Sequence, residues 1–393
     1  MNEITNLYSV LALSFLLFEI LFAFIGTTFS SRSRTSPIEE ENSVSIVIPV
    51  YNEPLKQLRA CIKSILTQSD ITIEDVIIVN DGSSAYDQAT LERAINALSG
   101  AERVTWIYRE ANRGKREALA AGIRQARGTF VVTVDSDTVM NGRQAIAELC
   151  TGFRNPNVGA VTGEVQVANK SHSLLTRLIS LRYWNAFHIE RAAQSLFGKM
   201  LCCSGPLSAY RRSILTEKML LAFAKQQFAG VVCKAGDDRH LTNQLLALGW
   251  DTTVHLSAQC KTYVPTDIRT YLIQQVRWNR SFFREALWTM KHVRSLSLFG
   301  VYTLSMQILL PFLLTVSLSL VIIELSLGNV EPLLRYLVTL VLMGLLHSLY
   351  GLVRTRRTEF LLFSLYGVLH VALLLPTRAW SLLTMRRTPW GTR

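Results

Sequence analysis

Three kinds of hydrophobic pattern follow one another along the chain. Leu7 to Gly26 is an almost unbroken apolar run with Glu19 as its only charge. About 20 such residues in a helix cross the hydrocarbon core of a bilayer. Glu3 stands where a secretory leader carries its basic region, and no small-residue cleavage site follows, so the run reads as an uncleaved anchor. Arg32 and Arg34 come directly after it, which places the next segment in the cytosol and the N-terminus outside.

From Ser43 to about Pro265 short apolar runs alternate with helical stretches. Ser45 to Val50, Asp75 to Asn80 and Phe130 to Val134 are rich in Val and Ile and bounded by turn residues, as buried parallel strands are. Helix-length segments such as Pro54 to Gln68 and Gly114 to Ala126 lie between them. This alternation predicts a doubly wound α/β sheet with its ligand site at the carboxyl ends of the strands.

The third pattern begins at Ile268 to Arg294, where aromatics mix with Arg269, Arg277, Arg280, Arg284, Lys291 and Arg294, the composition of an interfacial amphipathic helix. Two long apolar segments follow, about Leu298 to Leu327 and Leu333 to Val353, and Arg354, Arg356 and Arg357 mark a return to the cytosol. Phe360 to Met385 is apolar but holds Pro376 and Arg378 and runs into Arg386, Arg387 and Arg393. A further crossing there puts a basic tail outside, so an interfacial or re-entrant segment is expected. The chain is thus divided into an anchor (1–30), a cytosolic α/β domain (43–265), an amphipathic region (266–297), a transmembrane hairpin (298–353) and an interfacial segment with a cytosolic tail (354–393).

Composition agrees with a soluble domain fused to membrane segments: 49% of residues are hydrophobic and only 18% charged. The formal charge of +12 suits nucleotide phosphates, anionic lipid, nucleic acid or an acidic product, and does not choose among them. The six cysteines form no CxxC pair and no zinc-ligand spacing, which leaves out a disulfide framework and a metal finger.

Candidate chemistry sits where the strands end. In Val134-Asp135-Ser136-Asp137-Thr138 two carboxylates one residue apart follow a hydrophobic strand and offer hard oxygens for Mg2+ or Mn2+ bridging to a diphosphate. Asp81-Gly82-Ser83 ends the second strand, where a carboxylate can accept a hydrogen bond from a base or ribose. Tyr51, Asn52 and Glu53 end the first and suit a nucleoside pocket. Asn112-Arg113-Gly114-Lys115-Arg116 opens a helix with two cations, a good phosphate site without Walker spacing. Gly236-Asp237-Asp238-Arg239-His240 offers a general base for an acceptor hydroxyl. Gln274 and Arg277-Trp278 put a diphosphate-neutralising Arg and a sugar-stacking Trp on one helical face. Each motif also has a structural reading, as helix cap, basic turn or membrane anchor.

Read in order, IPVYNE, DGSS, NRGKR, DSDT, CCSGP, GDDR and QQVRW resemble the processive family 2 glycosyltransferases, the cellulose, chitin and hyaluronan synthases. RAAQS, CSGPLS, RWNRSFFRE and the closing Trp390-Gly391-Thr392-Arg393 look most like bacterial hyaluronan synthases, although one N-terminal span stands where two are usual. The resemblance implies a GT-A domain with a parallel-rich sheet, inverting transfer from UDP-GlcNAc and UDP-glucuronate to a growing polysaccharide, and a place in the plasma membrane among its lipids, with no nucleic acid partner. It implies that Asp81, with Tyr51 and Glu53, holds the nucleoside. Lys115 and Arg116 would meet the phosphates, Asp135 and Asp137 the metal and nucleotide, and Asp238 would be the base. Gln274 and Arg277 would bind the diphosphate and Cys203 and Trp278 the acceptor, while Trp390 and Arg393 close over the donor. The nodulation-factor chitin-oligosaccharide synthases share Tyr183-Trp184, Glu190 to Gln194 and Cys202-Cys203 with this pattern. A non-processive lipid-linked sugar transferase would share the domain and DxD but would not need QxxRW.

Overall fold

The structure is a computed structural model that describes residues 2–30 and 43–387. Its centre is an eight-stranded sheet. Strands β1 (Ser43–Val50), β2 (Thr72–Asn80), β3 (Val104–Tyr108) and β4 (Phe130–Val134) form one half, and β5 (Val139–Met140), β6 (Val158–Val167), β7 (Leu207–Arg211) and β10 (Asp251–Thr262) the other. A separate short hairpin is made by β8 (Gln227–Phe228) and β9 (Val231–Val232). The order across the sheet is β3-β2-β1-β4-β7-β6-β10-β5. Parallel pairing joins β3, β2, β1 and β4, whereas β7 runs antiparallel to both β4 and β6, and β10 runs parallel to β6. The carboxyl ends of β1, β2, β4, β6 and β10 therefore open on one edge, as a sheet with a binding cleft at its strand tips requires.

The three strands expected from their apolar runs are present, and β1 and β2 begin two and three residues earlier than expected. Ile46, Ile48, Val76 and Ile78 pack on one face with Leu58, Ile62 and Ile65 of α2 (Leu55–Leu66), Leu91 and Ile95 of α3 (Gln88–Asn96), and, further along, Ile146 and Leu149 of α5 (Ala145–Cys150). Val47, Ile77, Val79 and Val131 pack on the other with α4 (Lys115–Gln125), α8 (Glu217–Ala224) and α9 (Asp237–Ala247). Strands covered on both faces have no polar side to present, which is why β1, β2 and β4 read as continuous apolar runs.

On one side of this domain α6 (Leu174–Asn185), a π-type turn (Ala186–Arg191) and α7 (Ala192–Leu196) form a seat for the membrane helices. The first of those, α1 (Asn2–Ser30), packs Ala23 against Ile189, Ala192 and Ala193. Further out, Tyr8 and Ala12 meet Leu313 and Leu314 of α11 (Leu298–Ser326) and Tyr336 of α12 (Glu331–Thr355). Among the described residues four helical stretches are long and apolar enough to cross a membrane: these three and Thr358–Leu383. The chain is a membrane protein. The last stretch contains α13 (Phe363–Leu369) and α14 (Leu375–Leu383), and it touches the α/β domain near its start and the helix over 268–291 further along. Phe360 packs edge-on against Trp184 at 4.6 Å, Tyr366 meets the Tyr271 hydroxyl at 3.1 Å, and Thr384 accepts from Arg280 at 3.0 Å.

The amphipathic region is the helix α10 (Ile268–Lys291), capped by Asp267, whose carboxylate accepts from the Thr270 N–H. A cap of this kind stabilises a helix by about 1 kcal/mol. Two of its five cations do not face lipid. Arg280 and Arg284 are buried, and Arg284 donates to the Met385 carbonyl at 2.8 Å, so they fasten the end of the chain onto α10.

Candidate active site

At the strand tips, the chain leaving β1 is locked to the chain leaving β2. Asn52 takes a left-handed φ of 52°, and its side-chain oxygen accepts from the Ser84 and Ala85 amides at 2.8 and 3.0 Å. Asp81, buried one residue beyond β2, accepts from the Gly114 amide at 2.8 Å and the Arg113 amide at 3.2 Å, with the Arg109 guanidinium at 3.6 Å. Gly82 has a φ of +73°, and a Cβ there would lie 2.7 Å from the backbone of Ala111 and Asn112. Only glycine admits this close approach. Asp81 thereby pins the turn that starts α4, beside the Tyr51–Glu53 tip.

That turn aims Lys115 into the cleft. Its ammonium stands 2.6 Å from an Asp135 oxygen and 2.8 Å from an Asp237 oxygen, joining the strand-end carboxylates to the start of α9. Burial disfavours the Lys115 ammonium, but Asp135 and Asp237 outweigh it and hold the group above its ordinary value. Burial pushes the Asp135 carboxyl up, Lys115 pulls against it, and Asp137 and Asp237 add to the rise. Asp237 is also raised by burial, yet Lys115 brings it below its ordinary value. Ser136 donates to Glu53 at 2.8 Å and Thr262 to Asp137 at 3.0 Å, so the DSDT loop is held from both sides.

Asp135 and Asp137 are the residues that fit a divalent cation. No group of three or more His, Cys, Asp or Glu side chains that could hold a metal ion occurs among the described residues. Two carboxylates with the remaining ligands from water and a diphosphate match the way Mg2+ is usually bound beside phosphates.

The two neighbouring acids of α9 have different company. Asp237 pairs with Lys115, whereas Asp238 accepts from the Arg239 amide at 2.7 Å and from the Cys202 thiol at 3.6 Å. Cys202, rather than Cys203, is brought to this carboxylate. The Cys203 side chain is buried in the core with Met200 and Leu241, and its amide donates to Thr242 at 2.9 Å. Consecutive side chains of an extended segment point to opposite sides, which separates the two thiols. Burial and the nearby Asp238 push the Cys202 thiol up to about 12, so it stays a protonated donor.

On α10, Gln274 and Arg277 lie three residues apart on one face, and Trp278 is 43% exposed. The Gln274 side-chain oxygen is buried with no hydrogen-bond donor among the described residues. Arg116 does not join Lys115. Its guanidinium is 1% exposed and turns away to carbonyls before Asp237 and to Glu285 of α10. Trp390 and Arg393 lie outside the described residues, although Arg386, close before them, donates to the Ala229 carbonyl of the β8–β9 hairpin at 3.4 Å. Sequence reading missed Cys202, the Lys115 partner Asp237, and Glu285. The one local signal for Glu285 is a lone acid set between Phe282-Phe283 and Ala286-Leu287.

An eight-stranded GT-A-like sheet with paired aspartates, a cation and a second acid at its carboxyl edge is the architecture of a nucleotide-sugar transferase. The family described as "Glycosyltransferase like family 2" matches residues 41–281, and the chain belongs to it. It is 35% identical over 390 residues to the hyaluronan synthase of Streptococcus pyogenes, covering 99% of this chain and 90% of that protein. Over 351 residues it is 35% identical to an N-acetylglucosaminyltransferase of Mesorhizobium japonicum, covering 89% and 82% of the two chains. Hyaluronan synthase 2 of Rattus norvegicus is 32% identical over 431 residues, covering 98% and 76%. Among solved structures, a mannosyltransferase of Pyrobaculum calidifontis in complex with GDP-Man and Mn2+ is similar with a TM-score of 0.61 at 18% identity, covering 94% of this chain and 98% of that one. That likeness concerns the fold. The full-length likeness to synthases makes this chain a hyaluronan synthase-like glycosyltransferase.

Proposed function

We propose that the protein polymerises hyaluronan at the cytosolic face of the plasma membrane, drawing on UDP-GlcNAc and UDP-glucuronate, and passes the chain out between its membrane helices. The observation that carries the catalytic reading is the division of labour between Asp237 and Asp238: Lys115 neutralises the first, and the second has, among the described residues, an amide and a weak thiol donor. Asp238 takes the proton from the terminal hydroxyl of the growing chain. That oxygen attacks the anomeric carbon of the donor, the bond from that carbon to the diphosphate oxygen breaks, and UDP leaves with both electrons. Attack opposite the leaving group inverts the centre and yields a β-linkage.

Lys115 and Arg277 face the diphosphate, Asp81 with Tyr51 and Glu53 the nucleoside, and Trp278 and Cys202 the acceptor end. When bound to Asp135 and Asp137, Mg2+ or Mn2+ offsets the charge that grows on the departing UDP. The buried Gln274 oxygen supports a ligand donor arriving from the substrate. Phe360 contacts the α/β domain and Tyr366 and Thr384 contact α10, which supports an interfacial or re-entrant course for the segment they belong to and a cytosolic tail.

A second reading, chitin oligosaccharide from UDP-GlcNAc alone, is favoured by the likeness to the N-acetylglucosaminyltransferase. Sugar dependence separates the two. Purified protein given both donors is expected to make long chains that hyaluronidase digests, and little product from either donor alone. Hyaluronidase-resistant product at full rate from UDP-GlcNAc alone overturns the hyaluronan reading in favour of chitin.

A further inference from the structure

Arg116, Glu285 and His240 belong to no part of the mechanism above, yet they are among the most deeply buried charged or polar groups of the domain. One Arg116 nitrogen donates to the carbonyls of Ala235 at 3.0 Å and Gly236 at 2.8 Å, and to Glu285 at 3.2 Å, while the other bonds Gln226. Those carbonyls belong to the residues immediately before Asp237 and Asp238. The second Glu285 oxygen accepts from His240 at 2.8 Å and Asn243 at 3.4 Å, both on α9. Three elements that carry the proposed reaction thus converge on one carboxylate: α4 with Lys115, α9 with Asp237 and Asp238, and α10 with Gln274, Arg277 and Trp278.

The contact between the turn and α10 is equally tight. Gly236 has a φ of +80°, and a Cβ on it would fall 1.7 Å from the Ser281 hydroxyl. Burial favours a neutral Glu285, but His240 and Arg116 overcome it and hold the carboxyl down at about 2. Burial holds His240 below its ordinary value, with the Glu285 carboxylate pulling the other way. The network joins the Arg116–Glu285 ion pair to the His240 and Asn243 side chains through the one carboxylate.

We propose that Glu285 is a positioning residue for glycosyl transfer: through Arg116 and His240 it fixes the Ala235–Asp238 turn, and with it the Asp238 carboxylate, against the α10 face that bears Gln274, Arg277 and Trp278. The inference rests on the reading of Asp238 as base. Transfer needs the acceptor hydroxyl at Asp238 while the acceptor ring and diphosphate lie along α10. A displacement of about 1 Å between the two can cost about 100-fold in rate. The nucleoside contacts of Asp81 and its neighbours, on the far side of the cleft, do not depend on that spacing, so most of the affinity for UDP should survive a shift between the turn and α10.

The test is a set of purified full-length variants compared for UDP release, UDP affinity and thermal unfolding. E285Q keeps the shape of the side chain and removes its charge. It is expected to lower kcat about 10- to 100-fold and to leave UDP affinity within about twofold. R116K should behave alike, and the double variant should be no worse than the poorer single one, because the two act as one unit. H240N leaves the Arg116–Glu285 pair intact and should lower kcat by a smaller factor, which decides the matter if the charge variants do not fold. Wild-type kcat in every variant that folds, UDP affinity falling in step with kcat, or multiplied losses in the double variant overturns the proposal. D238N is the control: if it turns over at the wild-type rate the base assignment has failed, whereas an inactive D238N beside fully active E285Q and H240N refutes the positioning role alone.

Discussion

On the β1–β4 side of the cleft, the side chains are held by the ends of their own strands and by each other. Asn52, Glu53 and Ser136 bond between neighbouring strand tips and Asp81 bonds to the turn that opens α4, all within residues 52–136. On the α9–α10 side, position comes from distant parts of the chain: Lys115 for Asp237, Arg116 for the turn before it, Cys202 for Asp238, and Met385 for Arg284. A site for a nucleotide needs one fixed shape, and strand tips provide it. A site for the end of a polymer must meet both the donor and the membrane helices, and only elements tied to both can do so.

Metal removal should break the first side most completely. Chelation is expected to abolish polymerisation, and added Mg2+ or Mn2+ to restore it, because Asp135 and Asp137 alone leave the charge of a departing diphosphate uncompensated. Full activity in excess chelator contradicts the role given to these aspartates.

A smaller effect sharpens the second side. Cys202→Ser keeps a donor beside Asp238 and should change turnover by less than Cys202→Ala, whereas Cys203→Ser places a hydroxyl in the core and should act on stability. Burying an unpaired hydroxyl costs about 1 to 3 kcal/mol, which thermal unfolding can read. Equal stability for both serine variants, or loss of turnover only at Cys203, means that the wrong thiol has been assigned to the acceptor side.

The same contrast governs what could be read from the sequence. β1, β2 and β4 are buried on both faces, so their Val and Ile runs declare them, and the motifs at their ends follow at once. β10 mixes buried, half-exposed and exposed positions and carries Asp, Thr, His, Ser, Gln and Lys, while β6 contains two glycines, so neither forms an apolar run although both complete the sheet. Nothing local distinguishes Asp237 from Asp238. Their difference is made by Lys115 on α4 and Cys202 before β7. Arg280 and Arg284 have the composition of an interfacial helix, but their partners Thr384 and Met385 arrive about a hundred residues later and bury them.

The most direct test of the account sets D237N beside D238N, with UDP affinity and turnover measured on both. Asp238 is the proposed base, so D238N should lose turnover by about 100-fold or more and bind UDP as the wild type does. Asp237 pairs with Lys115, the proposed diphosphate contact, so D237N should alter UDP affinity and keep measurable turnover. The reverse pattern, with D238N active and D237N dead at unchanged UDP affinity, would make Asp237 the base and contradict the assignment on which the mechanism stands.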